Sequence, residues 1–414
     1  MTVSAHDRQI VSELSRQAAE IAALPVHAEK RAMWTRLNRL EPVRPMVWID
    51  EIPLWEFQDH PELKCLCEDE FARGVEWGLR ARLWHWNHAR CDMVVDSVVH
   101  SAVAWHDAGY GIGHREIRGQ TDYGMNAADF VPVLRSEADL GKIKVPVITP
   151  DPAATDRAAA MTLDLIGDAL RVEKRGLATI WFAPWDELVR WWGITELYED
   201  MIERPAFVHA GIARMIDVWL ARLDQLDSLN LLSASDGNHR VGSGGLGITD
   251  ELPQKDFDGK HARPIDQWGM ATGQIFSEAS PAMHEEFCLR YEMKWMERFG
   301  LIAYGCCEPL HDKMAMLRRV PRLRRISMSR FIKIEKGAEA VGKDYIFSYK
   351  PGPGVFAGSS FDRAEAEREL RRVLDCTRGM RVELIMKDIS TCRADPARIQ
   401  AWCEMAVGLA EACA

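Results

Sequence analysis

Residues 301–313 read LIAYGCCEPLHDK, an apolar run followed at once by two cysteines, a glutamate and a histidine. A short apolar run of this kind is typical of a buried strand. Three similar runs lie downstream, RRISMS (324–329), YIFSYK (345–350) and VELIMKD (382–388), and helical patterns separate them. Strands that alternate with helices predict a parallel sheet.

Further strand candidates lie upstream. They are RPMVWID (44–50), DMVVDSVV (92–99), LATIWFAP (177–184), LNLLSAS (229–235) and LGITD (246–250). A count near eight predicts an α/β protein, a (β/α)8 TIM-type barrel with a helical N-terminal extension. We assign residues 1–91 to the N-terminal helical extension and cap, and residues 92–414 to the barrel.

Composition and charge exclude several classes of partner. The chain has 414 residues, of which 47% are apolar, and a net charge of −10, which favours neither nucleic acid nor an anionic membrane. No apolar run approaches the roughly 18 residues of a membrane span. The first twenty residues carry early charges and no apolar signal core. Ten cysteines scattered through a long chain indicate reduced or metal-bound thiols, and we therefore expect a cytoplasmic protein.

The polar residues after LIAYG form the first candidate site. Cys306, Cys307, Glu308 and His311 follow the carboxyl end of that strand, and Cys392 follows VELIMKD at the same edge of the sheet. In a parallel barrel the catalytic loops gather at this edge. Three thiolates, or two with His311 or Glu308, suit a tetrahedral zinc with one open position. The alternative is that adjacent cysteines are small, buried, apolar side chains.

Two acids form a second candidate site. Asp250 and Glu251 follow the predicted strand LGITD, where a carboxylate could act as general acid or base, although the same acids could begin a helix. The preceding GSGGLG (242–247) matches the pattern G-x-G-x-x-G. Because these glycines lead into a predicted strand instead of following one, we exclude a dinucleotide loop.

The order of these features resembles the uroporphyrinogen decarboxylase-like superfamily over about residues 40–410, and most closely over 268–402. That superfamily includes the decarboxylase and the cobamide-dependent methyltransferases. The decarboxylase holds its porphyrin carboxylates with arginines near the first strand. The corresponding stretch here, VWIDEIPLWEF (47–57), is acidic and would repel a polycarboxylate.

The methyltransferase branch fits the cysteines better. In its zinc-dependent members a strand ends in His-x-Cys, and a second cysteine lies in a late loop before a helix that starts with proline. Cys306 of YGC and Cys392 of TCRADP match these two cysteines. Tyr304 stands where the family has histidine. Cys307, Glu308 or His311 would have to supply the third ligand.

The resemblance implies a methyltransferase that moves a methyl group between a small methylated substrate and a corrinoid protein or another acceptor, assisted by zinc. Asp250, Glu251 and His311 would handle protons, and a homodimer is compatible with this interpretation. One alternative is a metal-independent decarboxylase or lyase on the same barrel. Another is a non-catalytic homologue that binds a ligand or a corrinoid protein.

Overall fold

The computed structural model describes residues 3–119, 128–235 and 237–413. Its α-helices are α1 (Ala5–Ala22), α2 (Val26–Asn38), α3 (Glu70–His88), α4 (Pro152–Ile166), α5 (Pro184–Trp192), α6 (Ile194–Glu203), α7 (Pro205–Ser228), α8 (Pro281–His284), α9 (Arg290–Met296), α10 (Met314–Leu317), α11 (Ile334–Val341), α12 (Arg363–Cys376) and α13 (Pro396–Glu411).

The strands are short and spread along the chain. They are β1 (Met46–Ile49), β2 (Val98–Ala102), β3 (Trp105–Asp107), β4 (Arg115–Arg118), β5 (Ala128–Val131), β6 (Ile148–Pro150), β7 (Arg171–Arg175), β8 (Trp268–Ala271), β9 (Leu301–Tyr304), β10 (Leu323–Met328), β11 (Ile346–Tyr349) and β12 (Arg381–Met386).

The main sheet has six parallel strands in the order β1-β12-β11-β10-β9-β8. Every residue of β8, β9 and β11 is buried. Continuous apolar strands of this kind belong to parallel sheets that are covered on both faces, which is why the runs at 301, 324, 345 and 382 could be identified from the sequence. The predicted α/β class with a parallel sheet is confirmed.

Other ladders are smaller. β2 pairs with β7 in parallel, and a parallel bridge joins Leu177 to Leu232. β3 pairs with β6 and β4 with β5, both antiparallel. Because β1 pairs with β12, part of the range 1–91 belongs to the main sheet and is not only a helical extension.

Several strand predictions were wrong. LATIWFAP and LNLLSAS supply only the bridge between Leu177 and Leu232, and DMVVDSVV becomes a strand only from Val98. LGITD is a loop, in which only Leu246 forms an isolated antiparallel bridge, with Arg240. The Asn38 side chain donates hydrogen bonds to the backbone carbonyls of Leu246 and Ile248, and the Arg325 side chain also donates to that of Leu246. The strand β8 was missed, because a four-residue run that contains a glycine gives little periodicity.

Side chains cap the beginnings of two helices. The Asp362 side chain accepts a hydrogen bond from the Glu365 backbone N–H and caps α12, and Ser280 caps α8 through Met283. Phe287 and Trp295, which follow α8, are buried in the core. Among the described residues, no helix combines the length and apolar character that crossing a membrane requires.

Candidate active site

The carboxyl edge of the main sheet gathers polar side chains from four neighbouring strands. β9, β10, β11 and β12 are parallel and adjacent, so their carboxyl ends lie side by side. The residues that follow them are Cys306 and Cys307 after β9, Ser329 and Arg330 after β10, Lys350 after β11, and Lys387 and Asp388 after β12.

These side chains line a cavity of about 210 Å³, together with Phe331, Pro351 and Pro353. Cavities that hold drug-sized ligands measure roughly 300–1,000 Å³, so this one suits a smaller molecule. A larger cavity of about 990 Å³ lies between α3, β2 and α4. We place the candidate site in the smaller cavity, because the described lining of the larger one includes neither cysteine nor lysine.

Cys306 and Cys307 form a thiol pair at the start of the loop after β9. Gly305 permits the turn that precedes them, since its φ is +94° and a Cβ there would lie 2.5 Å from Leu310 Cδ1. The two Sγ atoms are 3.5 Å apart. The hydrogen bond from Cys306 lowers the pKa of Cys307, and the nearby charge of Lys387 adds to that effect against the opposing influence of burial. Cys307 is therefore the better thiolate of the pair.

Lys387 supplies a buried ammonium group next to the thiols. Its Nζ donates a hydrogen bond to Asp388 Oδ2. Burial alone would lower the pKa of Lys387, but the neighbouring Cys306 thiol and the bond to Asp388 raise it overall. The amine therefore stays protonated at neutral pH and can donate a proton.

Lys350 is a second buried amine with the opposite shift. Its Nζ donates to the backbone oxygen of Ser348 at 2.8 Å and to the Ser348 Oγ at 2.6 Å. Burial lowers the pKa of Lys350 to about 7, against the opposing charge of Glu383 and with a further contribution from Lys387. A substantial fraction of this amine is therefore neutral, and nucleophilic, at physiological pH.

Glu308 holds the loop in place and does not face the cavity. Its Oε1 accepts hydrogen bonds from Thr272 Oγ1 at 2.9 Å and from the Gly273 N–H at 3.1 Å. Its Oε2 accepts from the Cys306 N–H at 2.9 Å. A fully buried carboxylate with these partners is a structural anchor, so the prediction that Glu308 is a metal ligand is not supported.

Cys392 lies in the loop after β12, as predicted, but its thiol has a different partner. Its Sγ donates to Glu56 Oε2 at 3.1 Å, and the N–H groups of Cys392 and Ala394 donate to the same oxygen at 3.0 Å. Burial and the Glu56 carboxylate raise the pKa of Cys392. This thiol fastens the late loop to the short helical turn at Leu54–Phe57 and does not line the cavity.

The residues predicted to hold zinc do not fit the ion. A tetrahedral site needs its donors within about 2.3 Å of one centre. Cys306 and Cys307 are adjacent, but Cys392 is held by Glu56 and Glu308 by three donors of its own. Within the part of the chain that the structure describes, no three His, Cys, Asp or Glu side chains form a group that could hold a metal ion.

The predicted catalytic acids lie at the opposite edge of the sheet. Glu251 pairs with Arg324, the second residue of β10, and Asp250 pairs with Arg39 at the end of α2. Their placement at the carboxyl edge was therefore wrong, because LGITD was taken for a strand. The third predicted acid–base residue, His311, has Nε2 3.2 Å from Asp312 Oδ2, and burial lowers its pKa. Its side chain is outside the cavity lining.

The path of the glycine-rich segment explains why Asp250 and Glu251 lie at the amino edge of the sheet and not at the carboxyl edge. It begins near the carboxyl edge, where Arg240 pairs with Glu51 just after β1, and it reaches the amino edge at Glu251. Between these points Gly244 and Gly245 lie against the side chains of Arg325 and Glu383, and a Cβ at Gly244 would be 2.4 Å from Arg325 Cδ. Because these glycines have no side chains, the backbone of the segment packs directly against the side chains of Arg325 and Glu383. The glycines therefore have a packing role in the sheet interior, in place of the dinucleotide loop that was excluded.

Tyr304, where the resembling family has histidine, faces the helix layer. Its hydroxyl donates to Glu292 Oε2 at 3.0 Å, and His284 Nε2 lies 2.8 Å from it. Burial raises the pKa of Glu292 to about 8 and lowers that of His284 to about 3. Both groups are therefore neutral at pH 7, and Tyr304 belongs to a buried hydrogen-bonded cluster instead of the cavity.

Sequence reasoning missed Ser329, Arg330, Lys350 and Lys387. A signal was present, because the predicted strands RRISMS, YIFSYK and VELIMKD each end at or beside one of these residues. A polar residue at a strand end is usually solvated, so only the packing of the four strands distinguishes these side chains.

Comparisons with known proteins provide information about the fold alone. No protein-family model matches the sequence, and no curated protein matches it. Among solved structures, the chain is similar to a methyltransferase from Methanosarcina mazei, with a TM-score of 0.51 and 10% sequence identity. The match covers 92% of this chain and 98% of that one. At this identity the likeness establishes a shared α/β fold over nearly the whole chain.

Proposed function

We propose that the protein is a methyltransferase that moves a methyl group between a small methylated compound and an acceptor. The observation that carries the proposal is the convergence of Cys306, Cys307, Lys350 and Lys387 on one small cavity at the carboxyl edge of the parallel sheet. The fold shared with a protein named as a methyltransferase supports the reaction class. The implied closure of the sheet into a (β/α)8 barrel, with its site at the strand ends, belongs to the same proposal.

The chain's own residues would manage the proton. When the bond between methyl carbon and heteroatom breaks, the methyl group passes to the acceptor nucleophile and the electron pair stays on the heteroatom. That atom then needs one proton, which the Lys387 ammonium donates as a general acid. Reversal of the reaction returns the proton from the bound thiol, alcohol or amine to Lys387. Cys307 lies beside Lys387 and can exchange the same proton.

A corrinoid protein as the acceptor remains part of the proposal through the family resemblance. Zinc does not enter this mechanism, because its four predicted ligands do not converge. Elemental analysis of the purified protein and of Cys392→Ser measures the zinc prediction directly. We expect the substitution to leave the metal content unchanged, because the Cys392 thiol contacts Glu56.

The test uses free cob(I)alamin as a soluble acceptor and a panel of methyl thioethers, methyl ethers and methylamines. Methylcobalamin formation is followed by absorbance, and the demethylated product by mass spectrometry. Loss of the general acid in Lys387→Met is expected to slow the reaction by about 100-fold. Equal rates for wild type and Lys387→Met would contradict the mechanism. Binding of panel compounds without turnover by any acceptor would favour the non-catalytic alternative.

A second candidate function, a metal-independent lyase or decarboxylase, is favoured by Lys350 alone. A neutral lysine amine attacks a carbonyl carbon, loses water and leaves an imine, which withdraws electrons from the neighbouring bond. Incubation with pyruvate and cyanoborohydride would reduce that imine to a stable adduct. An adduct on the peptide that contains Lys350, absent in Lys350→Met and retained in Lys387→Met, would replace the methyltransferase proposal. Absence of the adduct in wild type would remove this candidate.

A further inference from the structure

One hydroxyl at the cavity has no hydrogen-bond partner among the residues that the structure describes. Ser329 is 3% exposed and lines the cavity, and its Oγ makes no hydrogen bond within the described residues. A buried hydroxyl without a partner costs roughly 1–3 kcal/mol. Such an atom in a cavity wall is explained when a bound ligand supplies the missing partner.

The next residue places a guanidinium group at the same cavity. Arg330 lines it and makes neither a hydrogen bond nor an ion pair with any described side chain. Its guanidinium lies over the backbone at Gly352, where a Cβ would be 2.9 Å from Nη1, and 5.7 Å from the Phe331 ring centroid. The absence of a side chain at Gly352 leaves room for this position. Arg330 is thus an exposed cation at the cavity that no described side chain neutralises.

The other charges at the cavity leave a positive balance. Lys387 is paired with Asp388, which is the carboxylate among the lining residues. Lys350 has hydrogen bonds to Ser348 and contacts no carboxylate in the described ranges of the chain. Glu51 accepts a hydrogen bond from the Asp388 backbone, but it is paired with Arg240. Arg330 therefore adds a positive charge that no carboxylate of the described residues offsets by direct contact.

We propose that the cavity takes small carboxylic acids, with the carboxylate held by the Arg330 guanidinium and the Ser329 hydroxyl. The planar fork of a guanidinium matches the two oxygens of a carboxylate, and such charge-assisted bonds are stronger than neutral ones. This inference rests on the proposed function for the identity of the reacting group. The substrate class is then a short acid that carries a methyl–heteroatom bond, with that bond directed toward Lys387.

The experiment compares (methylthio)acetate with (methylthio)acetamide, which differ in the charge of one end. Binding of each to wild type, Arg330→Met, Ser329→Ala and Arg378→Met is measured by isothermal titration calorimetry without any acceptor. Arg378 is a matched control, because it is exposed and pairs with Asp375 at the end of α12. We expect the acid to bind wild type and Arg378→Met at least about tenfold more tightly than the amide. Arg330→Met should bind the two compounds equally.

Ser329→Ala gives a signature that a purely structural residue would not give. It should weaken acid binding several-fold yet leave the melting temperature unchanged or raised, because the Ser329 hydroxyl makes no hydrogen bond with the described residues that the substitution could remove. Equal binding of acid and amide to wild type would overturn the subsite. So would an acid preference that survives in both Arg330→Met and Ser329→Ala.

The two proposals fail separately in this design. Acid-selective binding without methyl transfer to any acceptor keeps the carboxylate subsite and removes the methyltransferase. Methyl transfer from the amide at the same rate as from the acid keeps the methyltransferase and removes the subsite.

Discussion

The two edges of the main sheet differ in how their charged side chains are paired. At the amino edge, Asp250 and Glu251 each pair with an arginine, and the pairs are partly open to solvent. At the carboxyl edge, within the part of the chain that the structure describes, the buried Lys350 contacts no carboxylate and the exposed Arg330 is unpaired. The amino edge is neutralised within the protein itself. The carboxyl edge retains charge and a free hydroxyl for another molecule.

This difference has a physical cost that indicates function. Folding removes water from Lys350 and Ser329, and each loses solvation that the protein replaces only in part. The pairs at the amino edge incur little such cost, because exposed ion pairs remain solvated. A fold that keeps poorly compensated polar groups at the edge where loops gather has the character of an active site.

The largest expected effect on stability concerns the anchor beneath the thiol loop. Glu308→Ala leaves the donors at Thr272, Gly273 and Cys306 without their acceptor. We expect a loss of roughly 2–4 kcal/mol in the free energy of unfolding, measured by urea titration. A change within error would show that the loop after β9 does not depend on this carboxylate.

The next expected effect is a pH dependence of the free energy of unfolding, which originates at Glu292 in α9. Glu292 has a pKa raised to about 8 by burial, while hydrogen bonds from Tyr304 and Cys288 oppose the rise and the charges of Glu308 and Asp186 add to it. In the unfolded chain, Glu292 ionises near the ordinary pKa of a glutamate. The folded protein is therefore stabilised by its protonated Glu292 carboxyl, and this stabilisation is complete below about pH 4 and is lost as the pH rises through 8.

Glu292→Gln should flatten this dependence. Wild type should lose roughly 2–4 kcal/mol of unfolding free energy between pH 5 and pH 8.5, and the variant should lose much less. Urea titrations at the two pH values measure the difference. Parallel losses in the two proteins would place the titrating group elsewhere.

A smaller effect concerns thiol reactivity at the carboxyl edge. Cys307, with its lowered pKa, should react with iodoacetamide at pH 7 several-fold faster than Cys376, whose pKa is raised by burial. Lys387→Met should slow the alkylation of Cys307 because it removes a nearby positive charge. Peptide mapping by mass spectrometry provides both rates. Equal reactivity of the two thiols would contradict the assigned electrostatics.

The smallest effect is expected at the amino edge. Asp250→Asn removes one exposed ion pair, and such pairs contribute little to stability. The melting temperature should stay close to that of wild type. A large drop would mean that the two edges differ less than their contacts indicate.

The buried parallel strands are the part of the fold that could be predicted from the sequence. β9 and β11 are buried along their whole length, and β10 and β12 at all but one residue each. Both faces of the sheet are covered, so apolar residues dominate these strands even though β10 and β12 also carry arginine and glutamate, and that pattern can be recognised without tertiary information. LATIWFAP is similarly apolar, yet its backbone leaves the strand conformation. Of its two aromatic side chains, Phe182 packs in the core and Trp181 is exposed. Composition alone cannot separate these two outcomes.

The site was predicted only in part. Cys306 and Cys307 were placed at the correct edge because they follow a correctly assigned strand. Asp250 and Glu251 were placed at the wrong edge, since one loop was taken for a strand and its direction was reversed. Lys350 and Lys387 were overlooked because their opposite pKa shifts depend on burial and on the charges of Glu383 and Cys306, respectively, which are distant in sequence. The adjacent Asp388 also contributes to the pKa of Lys387, but it does not by itself reveal the burial of that lysine.

The most direct test of the account is the rate of methyl transfer to cob(I)alamin in Lys387→Met and Asp250→Asn, one variant from each edge, with the best donor of the panel. The account predicts that kcat/KM falls by about 100-fold in Lys387→Met and stays near the wild-type value in Asp250→Asn. A loss in Asp250→Asn with full activity in Lys387→Met would place the chemistry at the amino edge and contradict the assignment of the site.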